Sequence, residues 1–64
     1  MNFTKAIDDL MPVWNLSKKE LQLVISGYRE FLGIEVNGAW LATDNNAAQF
    51  RKVCAWHHDA GLIG

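Results

Sequence analysis

The sequence predicts a small, mainly helical α+β domain with the order helix, helix, hairpin, helix. Three observations carry this reading. Ser17 and Glu20 form a capping box ahead of apolar residues at helical spacing. Asn37-Gly38 separates two short apolar stretches, the strongest local hairpin signal. A second helical run follows Thr43 and is closed by Gly61.

The elements follow in chain order. Phe3, Ile7, Leu10, Met11 and Trp14 recur at helical spacing, with Asp8 and Asp9 on the opposite side. Pro12 disfavours helical geometry at Met11, so a short first helix over about 3–11 and then a bend are expected. The second helix starts at the Ser17 cap, with Leu16 and Leu21 placed to form a hydrophobic staple. Leu21, Val24, Ile25, Tyr28, Phe31 and Leu32 mark its apolar face. Gly27 lies inside it, as if to admit a close neighbour, and Gly33 is its expected stop, with Ile34 folding back onto Tyr28. A two-residue turn then pairs Val36 with Ala39, Glu35 with Trp40 and Ile34 with Leu41. That register puts Ile34, Val36, Ala39 and Leu41 on one face and Glu35 and Trp40 on the other. The last helix runs from Thr43 or Asp44 to about Ala60, with Ala47, Phe50, Val53, Cys54 and His57 inward and Leu62 as its fold-back residue. The expected core is Phe3, Ile7, Leu10, Leu21, Val24, Tyr28, Phe31, Leu41, Phe50, Val53 and Cys54.

Sixty-four residues make one domain, 1–64, with a thin core, since a chain this short buries only about 60% of its unfolded surface. A single cysteine excludes an internal disulfide and a cysteine-rich zinc framework. Six basic and seven acidic residues give a net charge of −1 with no basic block, which weakens the electrostatic case for nucleic acid. No apolar run approaches the roughly 18 residues of a membrane span, and the first ten residues carry two aspartates where a leader needs an apolar run. A cytoplasmic protein with no membrane association is the expectation.

The chemistry-bearing side chains gather in the closing stretch, RKVCAWHHDAGLIG. Cys54 stands three residues from His57 and four from His58, which is metal-pair spacing on one helix, but two ligands fall short of a closed site. Cys54 reads instead as a small core residue, His57 as a packed imidazole bonded to one polar group, and His58 as a favourable partner of the helix C-terminus. No phosphate loop, zinc-protease motif or nucleophile elbow is present, so neither an enzyme nor a cofactor is expected.

What remains is an aromatic surplus without catalytic equipment. Three tryptophans exceed what so small a core absorbs, and exposed tryptophan is a common binding anchor. The favoured expectation is a non-enzymatic protein-binding module, such as a phage-like inhibitor or regulator of a larger complex. Its contact residues are Trp40, Trp56, Gln49 and Lys52, and a homodimer is a further option. The alternative is a small DNA-binding regulator that reads bases with Asn45, Gln49, Arg51 and Lys52 at the start of the third helix. No motif in the chain names a family.

Overall fold

The computed structural model describes residues 2–64. Its elements are β1 (Lys5–Ala6), α1 (Leu10–Val13), α2 (Lys18–Gly27), β2 (Gly33–Val36), β3 (Ala39–Ala42) and α3 (Asp44–Asp59). The three strands form one antiparallel sheet in the order β1-β3-β2. The fold is the small, mainly helical α+β class that the sequence predicts, with one strand more than the expected hairpin.

That strand replaces the expected first helix. Lys5 and Ala6 pair with Ala42 and Leu41, and the Ile7 N–H donates to the Trp40 carbonyl at 2.8 Å. Two adjacent aspartates, Asp8 and Asp9, make a poor helix interior but a good turn, while the hairpin leaves the far side of β3 unpaired. Capturing that edge satisfies more backbone groups than an isolated helical turn. Ile7 and Leu10 are still buried, because strand, turn and helix bring them to the same core. Helical structure begins only at Leu10, and Pro12 sits within it. This costs no hydrogen bond, since the first-turn N–H groups have no intrahelical partner. Asn15, at φ +56°, closes the helix, with the Leu16 N–H reaching the Met11 carbonyl at 2.7 Å.

In α2 the capping box forms as read. Ser17 Oγ accepts from the Glu20 N–H and Glu20 Oε1 accepts from the Ser17 N–H, both at 3.1 Å. The helix stops at Gly27, six residues before the expected stop at Gly33. Tertiary contacts decide this. Asn46 of α3 captures the backbone of the 28–32 connection, accepting from the Leu32 N–H at 2.9 Å and donating to the Glu30 carbonyl at 3.3 Å. Gly33 opens β2, and its role is close approach: a Cβ there would overlap the Phe31 ring. Ile34 therefore lies in a strand and does not fold back onto Tyr28. The space beside Gly27 is open, so it admits no close neighbour.

The hairpin has the expected register, extended by Gly33 opposite Ala42. Its turn is Asn37 at φ +52° and Gly38 at φ +83°. The side turned to the core, however, is that of Trp40 and Ala42. Ala42 is fully buried, and Trp40 packs edge-on against Phe31 at 6.0 Å. Ile34 and Val36, on the other side, stay about two-fifths exposed (42% and 41%). Burying one indole removes more apolar area than either aliphatic side chain offers.

Thr43 caps α3 by accepting from the Asn46 N–H at 3.2 Å. A Schellman motif ends the helix, with Gly61 at φ +75°, its N–H on the His58 carbonyl and the Leu62 N–H on the His57 carbonyl. The residue that folds back into the core is Ile63; Leu62 is exposed. The core centres on Phe50, whose ring meets those of Phe31 at 4.8 Å and Tyr28 at 6.1 Å in tilted contacts, with Ile7, Leu10, Leu16, Leu21, Val24, Ala42, Ala47, Cys54 and Ile63 around it. Tyr28, Phe31 and Val53 pack on its margin, while Phe3 and Leu41 are half-buried outside it.

Candidate functional site

α3 presents three different faces. Its inner face carries Phe50 and Cys54. Cys54 is fully buried, and burial pushes its thiol up to about 11, so it stays protonated and shielded at neutral pH. His57 donates from Nδ1 to the Val53 carbonyl at 2.8 Å, which fixes its ring against the preceding turn. His58 lies outside, its Nδ1 3.8 Å from Asp59 Oδ1. The three side chains of the closing stretch thus diverge. Among the described residues no three histidine, cysteine or carboxylate side chains converge as metal ligands would.

The second face meets the end of α2. Trp56, Lys52, Val53 and Gln49 line an open cleft of about 320 Å³ with Tyr28 and Glu30 of the connection. The Tyr28 hydroxyl donates to Gln49 Oε1 at 3.3 Å, tying the connection to the helix. Gln49, Lys52 and Trp56 follow each other at three- and four-residue spacing, which stacks them on one side of α3. Trp56 is 69% exposed, the most exposed large apolar side chain among the described residues. Three of the four expected contact residues therefore share one cleft. Sequence reasoning placed Tyr28 in the core and did not consider Glu30. Tyr28 packs on the core margin against Phe50 and also lines the cleft, because the chain leaves the helix directly after Gly27.

Trp40, the fourth residue, is elsewhere. It is half-buried over the core and lines a different cleft of about 180 Å³, with Asp8, Lys18, Gln22 and Glu35. The two tryptophans do not share a cleft.

The third face bears Arg51, while Asn45 lies one turn before Gln49 on the side of Gln49 and Lys52. Asn45, Gln49 and Lys52 are exposed along α3. Arg51 is exposed too, but it faces Lys5 and Asp44, which approach each other at 3.9 Å. Two of the four base-reading candidates thus belong to the Trp56 cleft, and Gln49 has its amide oxygen engaged by Tyr28. No described helix is long and apolar enough to cross a membrane.

Comparison of the chain with protein-family profiles, with characterised proteins and with solved structures finds no match.

Proposed function

We propose that this chain is a non-enzymatic protein-binding module that docks a partner protein through the Trp56 cleft and so regulates or inhibits it. One observation carries the reading: an indole 69% exposed to water stands over a cleft whose other wall is Tyr28. Covering Trp56 removes on the order of 150 Å² of mostly apolar surface from water, about 3–4 kcal/mol before the costs of association. Aromatic residues at the centre of a patch with a polar rim are the usual anatomy of a binding hot spot. Here Gln49 and Lys52 form that rim. The partner this fits inserts an apolar side chain between Tyr28 and Trp56 and brings a carboxylate to Lys52. The buried, protonated Cys54 and the tethered His57 favour a binding role over nucleophilic chemistry.

The test is a nuclease-treated pull-down comparing the wild-type chain with Trp56→Ala, Lys52→Glu and a distant control, Lys19→Ala. One protein held by the wild type and the control, and lost about 30-fold or more with Trp56→Ala, is expected for a hot-spot residue. Capture that is indifferent to Trp56→Ala refutes the assignment. Capture that vanishes with nuclease supports instead the reading in which Asn45, Gln49, Arg51 and Lys52 contact nucleic acid, which salt-sensitive binding would then establish.

A further inference from the structure

The two edges of the sheet are unlike. β1 is two residues long and places Lys5 at its end, both ordinary guards against unwanted strand pairing. β2, Gly-Ile-Glu-Val, is twice as long and has neither lysine, proline nor bulge.

Its free backbone groups are identifiable. A two-residue turn makes Val36 and Ala39 the first hydrogen-bonded pair, and pairs alternate from there. Glu35 and Trp40 are therefore a non-bonded pair. The Trp40 carbonyl accordingly turns away from β2 and accepts from Ile7 of the β1 segment at 2.8 Å. By the same alternation the Glu35 N–H and carbonyl point outward, and among the described residues nothing bonds to them.

The Glu35 side chain lies on the core-side face with Trp40. Both line the 180 Å³ cleft, together with Asp8 and Gln22, and Lys18 stands at the same cleft. Carboxylates outnumber cations there by two to one. A residue added directly opposite Glu35 in a new strand would sit on that face, so its side chain would enter the cleft. A guanidinium or ammonium group gains there both the Glu35 carboxylate and the indole of Trp40. The residues on either side of it would lie beside Ile34 and Val36, which are exposed and aliphatic.

We propose that β2 accepts an extended segment of a partner protein as a fourth strand, with a basic residue opposite Glu35 and apolar residues flanking it. This is the β-augmentation mode, in which main-chain bonds supply affinity and alternate side chains supply specificity. A second copy of the chain is the poorer occupant. The only charged side chain that β2 offers is Glu35, so no register of a β2–β2 pair brings a cation to the cleft. The assignment is independent of the Trp56 cleft and survives or fails separately from it.

The probe is a blocked seven-residue peptide with a Val-Arg-Val centre between Thr and Ser residues. Its control carries glutamate in place of the arginine. Each is titrated into ¹⁵N-labelled full chain to about 1 mM, a range suited to weak peptide docking. Amide shifts are expected at Gly33–Val36 and at the Trp40 indole, with Trp56 unmoved. The glutamate peptide binds about threefold to tenfold more weakly. Glu35→Lys reverses the preference between the two peptides. Glu35→Pro, whose missing N–H is an outward one, abolishes docking; Glu35→Gln serves where that variant does not fold, and equalises the two peptides. Equal binding of both peptides to the wild type, or no shift along β2, overturns the proposal. So does self-association of the chain that Glu35→Pro abolishes, which would assign the edge to a second copy.

Discussion

Replacing Asn46 by alanine should cost more than replacing any other polar residue of the chain. Asn46 is 8% exposed and is the one buried polar residue among those described. Its amide holds both ends of a three-residue stretch, accepting from the Leu32 N–H and donating to the Glu30 carbonyl. Truncation breaks two part-buried bonds and leaves both the Leu32 N–H and the Glu30 carbonyl without their partner, at about 1–1.5 kcal/mol each. The combined loss is about 2–3 kcal/mol. A 64-residue domain has roughly 3–10 kcal/mol in total, so a large share is removed. With a urea slope of about 1 kcal/mol per molar for a chain this small, the midpoint should fall by about 2–3 M. Trp14 and Trp40, both half-buried, report the transition by fluorescence. Asn46→Asp keeps an acceptor for Leu32 but turns a carboxylate towards the Glu30 carbonyl, so it too should destabilise. The Thr43 cap survives both changes, since it uses the backbone N–H of position 46. Hydrogen exchange should accelerate at Leu32 before it does within α3. A midpoint shift below about 0.5 M, or unchanged protection of the Leu32 amide, would refute the claim that one side chain anchors this connection.

Two glycines should respond in opposite directions. Gly27→Ala fills open space at a position without positive φ and should stabilise by up to about 1 kcal/mol, whereas Gly61→Ala forces φ +75° on a side chain and should destabilise by about 1 kcal/mol or more; thermal melts of the pair decide it. Glu20 gives the pH dependence. Hydrogen bonds from the Ser17 and Gly64 N–H groups hold its carboxyl below the usual 4.5. The folded state therefore favours the ionised form, and that stabilisation is complete above the unfolded value and lost as pH falls through the folded one. The stability gap between wild type and Glu20→Gln should be widest near neutrality and narrow below about pH 4.5; a gap constant from pH 7 to pH 3 would contradict the assignment.

The geometry links these stability elements to the candidate site. Tyr28 belongs to the connection that Asn46 holds, and its hydroxyl reaches Gln49 from there. Asn46→Ala should therefore loosen the Trp56 cleft without touching Trp56 itself.

Local interactions made some elements readable in advance. The Ser17–Glu20 box, the Thr43 cap, the Asn37-Gly38 turn and the Gly61 stop each depend on residues within a few positions of one another. Their chemistry is complete in the chain before anything packs. The hairpin register followed from the turn for the same reason. Exposure of Gln49 and Lys52 could be read as well, because helical spacing sets which residues oppose the Phe50 face.

Three outcomes depended on partners in other elements, and a fourth on a local turn whose direction helical spacing does not show. Lys5 and Ala6 became a strand because β3, far along the chain at Leu41 and Ala42, offered an unpaired edge. The end of α2 was set by Asn46, which competes for the backbone of residues 30–32. The core-side face of the hairpin was chosen by the edge-on packing of Trp40 against Phe31, which an alternating pattern that is apolar on both sides cannot specify. Ile63 rather than Leu62 entered the core because the Schellman turn redirects the chain after Gly61. Together they separated Trp40 from Trp56 and joined Tyr28 to the cleft. The sequence alone therefore determined the capped and turned elements, whose energetics are local; packing between them decided which aromatic side chains met and which were left for a partner.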